Sequence, residues 1–509
     1  MTTANYPSLS PSSANAPRAH RLFWLALAAV TLIGAMQAAV FEPHHFDVTW
    51  FTMMGERVLA GERLFVDVYD TNPPFSVALY LPFVMLQNIT GLDAHIWISM
   101  GYFGLLAIIL AVSVQLMRDY LGLGVNQRRV IVVALAAVFV WVMPTTFAQR
   151  EHFGITAALP WFFLIAARIK SDKRLPFWLS IAIGATAAIL LLIKPYYALG
   201  LGLPLLYLAW HKRSWRAPFQ PEAFTLAFFG IAYALILAMA FPSFFDFVPL
   251  IVDVYTPHRR SLLGMLMVVA YCLLPIVIVT LLINPKQRKF DPMVIVFLIG
   301  FVGFAISFMA YGKFFHYLLW PPLICAYAAF ILQLSLEASH PKQHLRCGAL
   351  IAVAVFVQAG VNTHSGAKEQ FQPEPPASVL ALAPSPKIAV VSASMRATVP
   401  LAHALDATWT EKLPSDFIGN LAYRLLDRAT PAHKARLEKH IQDLLDRKVA
   451  YLSQTDLDLI IVDTRESDWM DLVVVDGRIP AILDSYTLFA SADRMEYYVP
   501  RGAVSKSHP

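Results

Sequence analysis

Uncharged apolar blocks of about 16–22 residues recur through the first 361 positions of this chain, separated by short loops rich in Arg, Lys, Pro and His. At 1.5 Å rise per residue, a helix of that length crosses the ~30 Å hydrocarbon core of a bilayer. A single block of this kind is compatible with a cleaved signal peptide; a series of them is not. We read eleven spans, at 22–40, 96–117, 130–147, 153–167, 175–193, 197–210, 223–241, 262–283, 292–310, 317–336 and 346–361. Composition agrees, with 57% hydrophobic and 15% charged residues and a mean hydropathy of +0.56. A soluble domain sits nearer ~45–50% apolar and ~25% charged.

The net charge of +6 invites a nucleic-acid reading. We set it aside, because the basic residues lie in short loops beside apolar spans, where they act as topology determinants. Arg18 and Arg21 precede the first span; Arg118, Arg128 and Arg129 follow the second; Arg168, Lys170, Lys173 and Arg174 follow the fourth. Lys212, Arg213 and Arg216 follow the sixth, Lys286, Arg288 and Lys289 the eighth, and Lys342 and Arg346 the tenth. Every second loop is basic. The positive-inside rule then places the N-terminus in the cytoplasm and, with an odd number of spans, the tail outside. Only Lys194-Pro195 divides the fifth span from the sixth, and the alternation downstream requires both. The expected location is a bacterial inner (plasma) membrane.

The expected fold class is therefore mainly α: a polytopic bundle of about eleven spans, interfacial helices in the first outer loop, and a small C-terminal α/β domain. The expected division is a disordered lead at 1–20, a membrane domain at 21–361 with its first outer loop at 41–95, a Pro-rich linker at 362–386 and an extracytoplasmic domain at 387–509. In the tail, Lys387–Val391, Leu457–Val462 and Met495–Val499 read as strands and Asp416–Asp446 as a charged helix. The nearest thing to a phosphate loop there, Ser392–Thr398, lacks the glycines of a nucleotide site. Cys272, Cys325 and Cys347 each fall in a predicted span, so they offer neither a disulfide framework nor a zinc motif.

The chemistry is expected on the outer side. The first outer loop is too long for a connector. It carries Asp47, an amphipathic stretch at Val48–Ala60, then Asp67, Asp70 and Asn72 before Pro73-Pro74. At other outer mouths stand Arg150, Glu151 and His152; Lys194, Tyr196 and Tyr197; Asp246, Asp253, His258, Arg259 and Arg260; and Lys313 with His316. Ionisable groups near membrane depth are costly and usually functional. Together they describe a basic cavity with a few carboxylates, suited to a lipid-linked phosphate.

The stretch from Phe46-Asp47 through GERLFVDVYDTNPPF resembles the GT-C-type membrane glycosyltransferases, near the protein mannosyltransferase and lipid A aminoarabinose transferase-like groups. The matching features are an acidic residue after the first span (Asp47), a Gly61-to-Asp67 stretch and Pro73-Pro74; Lys194 and Lys313–Tyr317 match later segments loosely. Many members carry two adjacent acidic residues at this position, whereas Asp47 follows Phe46. The resemblance implies transfer of a sugar from a polyprenyl-phosphate donor to an envelope glycan, lipid or protein acceptor, with inversion. Asp47 would be the general base. Arg150, Lys194, Arg259, Lys313 and His316 would bind the donor phosphate. Asp67, Asp70, Asn72, Glu151, His152, Tyr196 and Tyr197 would line the substrate site. No cofactor is implied; a divalent metal at His44 and His45 beside Asp47 stays open, but no further ligand spacing supports it.

Structural readings compete at each position. Asp47 serves equally as an N-cap, Asp67 and Asp70 as turn residues, Arg150 and Glu151 as a local pair, and Lys194 as a snorkelling lysine. His316 fits a satisfied structural histidine, and Arg259 and Arg260 fit contact with anionic headgroups. The alternative function is a transporter or flippase of lipid-linked sugars, which should show paired broken helices and charges inside several spans.

Overall fold

The computed structural model describes residues 16–40, 45–282, 290–338, 341–369, 373–454, 456–465 and 467–501. His44 and the basic loop of Lys286, Arg288 and Lys289 lie outside them, as does most of the N-terminal lead.

Among the described residues a helix overlaps each of the eleven expected spans, although the third stops at Trp141, short of the expected 147, and gives way to a 3-10 turn at Pro144–Thr146. The first is α1 (Ala16–Val40). The outer loop folds as α2 (Phe46–Leu59), α3 (Phe75–Ala78) and α4 (Leu81–Thr90). Then come α5 (Ala94–Asp119), α6 (Val125–Trp141), α7 (Arg150–Lys170), α8 (Phe177–Ile193), α9 (Ala198–His211) and α10 (Pro221–Ala240). A short helix, α11 (Pro242–Leu250), runs into a π-helical turn at Ile251–Tyr255. The bundle closes with α12 (Leu262–Leu282), α13 (Pro292–Tyr311), α14 (Trp320–Glu337) and α15 (Pro341–Glu369). Six helical segments are long and apolar enough to cross a membrane unaided: those at 20–37, 94–119, 150–170, 221–240, 292–311 and 316–337. At 17 and 14 residues, α8 and α9 reach only ~26 and ~21 Å. Lys194 and the 3-10 turn Pro195–Tyr197 divide them, because Pro195 has no N–H to continue α8.

Helix α7 is the axis of the bundle. Its residues Arg150 to Ala167 are all buried, and from Phe153 to Ala167 they are almost wholly apolar on every face, as expected of a core helix. Helices α9 and α13 cross very closely: a Cβ on Gly303 would come 2.6 Å from both the Gly200 Cα and the Leu199 carbonyl oxygen. The far end of α7 is basic and knitted by ion pairs. Lys170 meets Asp291 at 2.6 Å, Lys212 meets Asp172 at 3.1 Å, and Arg168 grips Glu222 with two bonds of 3.0 Å. The opposite end carries α2–α4 and the C-terminal segment.

That segment runs α16 (Ala377–Leu380), β1 (Ile388–Val391), α17 (Met395–Ala404), α18 (Phe417–Tyr423), α19 (Pro431–Leu452), β2 (Leu459–Asp463), α20 (Asp468–Asp476), α21 (Arg478–Leu483), β3 (Tyr486–Ala492) and β4 (Met495–Pro500). The sheet order is β1-β2-β4-β3, with β1 and β2 parallel and the other pairs antiparallel. The expected helix over Asp416–Asp446 is two helices. The break falls before Pro431, which stands at the start of α19, where its missing N–H costs nothing. Strand β3 was not expected; it is the sheet edge, half-exposed, and lacks a strict alternation of buried and exposed residues. The hairpin to β4 turns through Asp493 and Arg494, both at positive φ.

Candidate active site

The N-terminal ends of α2 and α7 meet at this end of the bundle. The N-cap of α2 is His45 rather than Asp47, and its Nδ1 accepts the Asp47 N–H at 3.3 Å. Burial pushes the His45 imidazole down to about 4, so it is neutral at pH 7, with Nδ1 as the unprotonated nitrogen. The Gln149 side-chain nitrogen donates to that Nδ1 at 2.6 Å and to Asp47 Oδ2 at 3.2 Å. Among the described residues nothing bonds Asp47 Oδ1. Asp47 therefore sits in the first turn of α2, where the helix dipole favours its charge.

Backbone strain aims Gln149 and Arg150. Ala148 is held at φ +56°, unusual for a residue with a Cβ. His152 Nδ1 accepts its N–H at 3.1 Å, and its carbonyl accepts the Tyr80 hydroxyl at 2.9 Å. His152 is itself fixed by stacking on Trp320, 3.7 Å between centroids, and by a hydrogen bond between its Nε2 and the Tyr102 hydroxyl. It stands behind the site as a support.

Arg150 is fully buried. It lies 3.8 Å from Asp47 Oδ2 and 3.7 Å from Glu151 Oε2, and 4.5 Å above the Phe51 ring. None of its three guanidinium nitrogens makes a hydrogen bond among the described residues. Lys194 Nζ sits 2.6 Å from Glu151 Oε1 in a buried ion pair. Each cation thus has a carboxylate beside it, and the centre is charge-balanced rather than basic as expected. Tyr196 and Tyr197 adjoin Lys194, their rings 4.8 Å apart between centroids, and both hydroxyls are buried.

Asp47, Asp70 and Asn72 line one cavity of about 280 Å³, together with Tyr255, Tyr311 and Tyr317. Its other wall is C-terminal: Ser394 and Arg396 at the start of α17, and Phe417 and Asn420 on α18. Asp70 Oδ1 accepts the Asn72 N–H at 2.8 Å and the Asn72 side-chain amide at 2.6 Å. Burial pushes the Asp70 carboxyl up to about 6, against the pull of Arg150 and the Asn72 bonds. Arg150 and Lys194 do not line this cavity; both sit against the ring of Tyr317, which does, at 5.7 and 5.0 Å from its centroid.

Four expected residues lie elsewhere. Asp67 is at the surface, its Oδ2 accepting the Arg63 N–H at 2.9 Å in a turn, as the structural reading had it. Lys313 donates to the Tyr255 carbonyl from behind the cavity wall, and burial pulls its ammonium down to about 7. Arg259 donates to the Ala310 carbonyl at 2.5 Å and belongs to a second cavity. His316 contacts the Phe314 ring, 5.0 Å between centroids, and is not in the cavity wall.

The sequence reading missed Tyr255, Tyr311 and Tyr317, and all of the C-terminal wall. The tyrosines carried one signal, an aromatic ring at the mouths of neighbouring spans on one side. The Ser392–Thr398 stretch lacks the glycines of a nucleotide site, and its contribution to the wall is Ser394 and Arg396.

No protein-family model matches the chain, and no curated protein matches it. Among solved structures, ArnT from Cupriavidus metallidurans in the apo state aligns with 96% of this chain and 100% of that chain, at a TM-score of 0.47 and 13% sequence identity.

Proposed function

We propose that the protein is a membrane glycosyltransferase that moves a sugar from a polyprenyl-phosphate donor to a hydroxyl of an envelope glycan, lipid or protein, on the outer face of the bacterial inner membrane. The observation that carries this reading is the pairing of Asp47 with Arg150. A carboxylate with one unbonded oxygen lines a cavity, 3.8 Å from a fully buried guanidinium that makes no hydrogen bond among the described residues. Burying a guanidinium without hydrogen bonds is expensive, and a phosphate oxyanion is the ligand that its planar fork fits best. The first-loop motif points the same way.

In this mechanism Asp47 Oδ1 takes the proton of the acceptor hydroxyl. The hydroxyl oxygen bonds to the anomeric carbon as the bond from that carbon to the phosphate oxygen breaks, so configuration inverts. The electron pair leaves on the phosphate, and Arg150 and Lys194 stabilise the charge that develops there. For both cations to reach that oxygen, the Tyr317 ring has to turn aside. Gln149 and neutral His45 hold the carboxylate in place. Asp70 and Asn72, with Arg396 and Asn420 opposite, are the groups available to sugar or acceptor hydroxyls.

The test compares a deletion strain complemented with wild type or with Asp47→Asn, at equal membrane levels, by mass spectrometry of envelope lipids and glycans. Wild type should restore one sugar-sized mass that Asp47→Asn does not, a loss on the order of 10²–10⁴ in rate for a general base. Full restoration by Asp47→Asn would remove the proposed base and move the lipid-linked-sugar transporter to the front.

A further inference from the structure

A second cavity, larger than the first at about 530 Å³, opens between the loop before α12 and the C-terminal segment. Its charged lining is Arg259 and Arg260 from the loop and Arg424 and Arg428 from the segment after α18, with His258 and His433 beside them. Among the described residues no acidic side chain lines it. Two of the arginines are engaged: Arg259 donates to the Ala310 carbonyl, which leaves its charge uncompensated, and Arg424 pairs with Asp468 at 3.1 Å. The side chains of Arg260 and Arg428 make no hydrogen bond or ion pair among the described residues. The nearby carboxylate of Asp253 is already held by Arg436 at 2.9 Å and by His440 at 3.3 Å. That leaves three guanidinium groups, Arg259, Arg260 and Arg428, without a carboxylate partner among the described residues, and they repel each other unless an anion joins them.

The place of the cavity says which anion. Arg259 and Arg260 stand directly before α12, whose first turn exposes Leu262 (67%) and Leu263 (64%). The cavity thus lies where apolar helix surface gives way to water, at the depth of lipid headgroups. Basic residues at the non-basic end of the bundle also run against the topology pattern, so they need another reason to be there. The geometry points to a binding site for the phosphate headgroup of an anionic phospholipid, clamped between the membrane bundle and the C-terminal segment.

The clamp reaches the first cavity through α18. Arg424 and Leu425, at its C-terminal end, line the basic cavity, whereas Phe417, Asn420 and Leu421 line the cavity of Asp47. His258 Nε2 also donates to the Leu421 carbonyl at 2.9 Å. A headgroup held here fixes the helix that roofs the other site. The inference concerns binding alone and stands whether or not the protein transfers a sugar.

Native mass spectrometry of the full-length protein in detergent tests it, with phosphatidylglycerol, phosphatidylcholine or inorganic phosphate added. Wild type should retain phosphatidylglycerol over phosphatidylcholine. The R260Q/R428Q double variant should lose that preference by roughly tenfold or more, as expected for two surface charges at a lipid headgroup. K439Q, which removes an exposed charge from α19, should keep it. Equal unfolding temperatures without added lipid show that the double variant is folded. The proposal falls if wild type binds the two lipids equally, or if the double variant keeps the wild-type preference. Complete displacement of phosphatidylglycerol by inorganic phosphate overturns the lipid assignment in favour of a soluble phosphate ester.

Discussion

Asp70 is the carboxylate at the candidate site whose charge state burial disturbs. Its carboxyl rises from 3.8 to about 6 because burial penalises the anion more than Arg150 and Asn72 favour it. The sign follows from linkage. Between those two values the folded protein holds a proton that the unfolded chain has released, so stability falls as pH rises through this window and is lowest above it. The upper bound on that loss is ~3 kcal/mol. Asp70→Asn keeps an acceptor for the Asn72 donors and removes the charge. We expect a higher unfolding temperature than wild type at pH 7.5, with the gap closing as pH falls through 6 toward 4. A gap that stays constant with pH would mean that Asp70 is not the group responsible. From sequence, Asp47 stands apart as the acidic residue after the first span, but Asp67 and Asp70 are equivalent acidic residues in one loop. Nothing local distinguishes a surface turn at Asp67 from a buried turn at Asp70; that difference comes from what packs over each.

At the scale of elements, the apolar blocks were legible because length and hydrophobicity alone decide whether a segment can be a span. Lys194-Pro195 was legible as a divider for the same reason that it divides α8 from α9. Helix crossings were not legible, since they depend on which small residues face one another. Gly200 and Gly303 are the instance here, with backbone against backbone. Close approach at small residues is how helices associate where water supplies no driving force. Gly303→Ala places a Cβ where only backbone can yield, so α9 and α13 must separate. We expect destabilisation of ~1–3 kcal/mol, read as a lower unfolding temperature in detergent. Gly202→Ala, in the same helix pair but with nothing within 4 Å of the new Cβ, should leave that temperature unchanged or raise it.

The whole molecule has a division of labour that no local pattern encodes. Ser394, Arg396 and Asn420 stand more than 340 positions after Asp47 yet share its cavity. Which face of the C-terminal segment docks, and onto what, is invisible to periodicity. The docking itself is polar and specific. Arg57, on α2, donates to the Glu411 carbonyl at 2.6 Å and the Thr410 carbonyl at 3.2 Å. The Tyr69 N–H reaches the Lys412 carbonyl at 2.7 Å, and Lys412 Nζ returns to the Val66 carbonyl at 2.8 Å. Trp50 packs on Trp409, 5.7 Å between centroids. Arg57 is the hub, because it also holds Glu62 at 2.7 Å and the Asp67 carbonyl at 3.2 Å. Charge-assisted bonds of this kind are worth ~1.5–3 kcal/mol each. Arg57→Ala should therefore free residues 409–412 and α17 while the bundle around α7 and α14 stays closed. Hydrogen–deuterium exchange should report this as exchange at 409–412 faster by roughly tenfold or more, with α7 and α14 unchanged. If the C-terminal wall positions the acceptor, transfer should fall mainly through a higher KM for acceptor, with the donor KM little altered. Faster exchange with unaltered transfer would leave the docking intact as structure but would remove the C-terminal wall from the reaction.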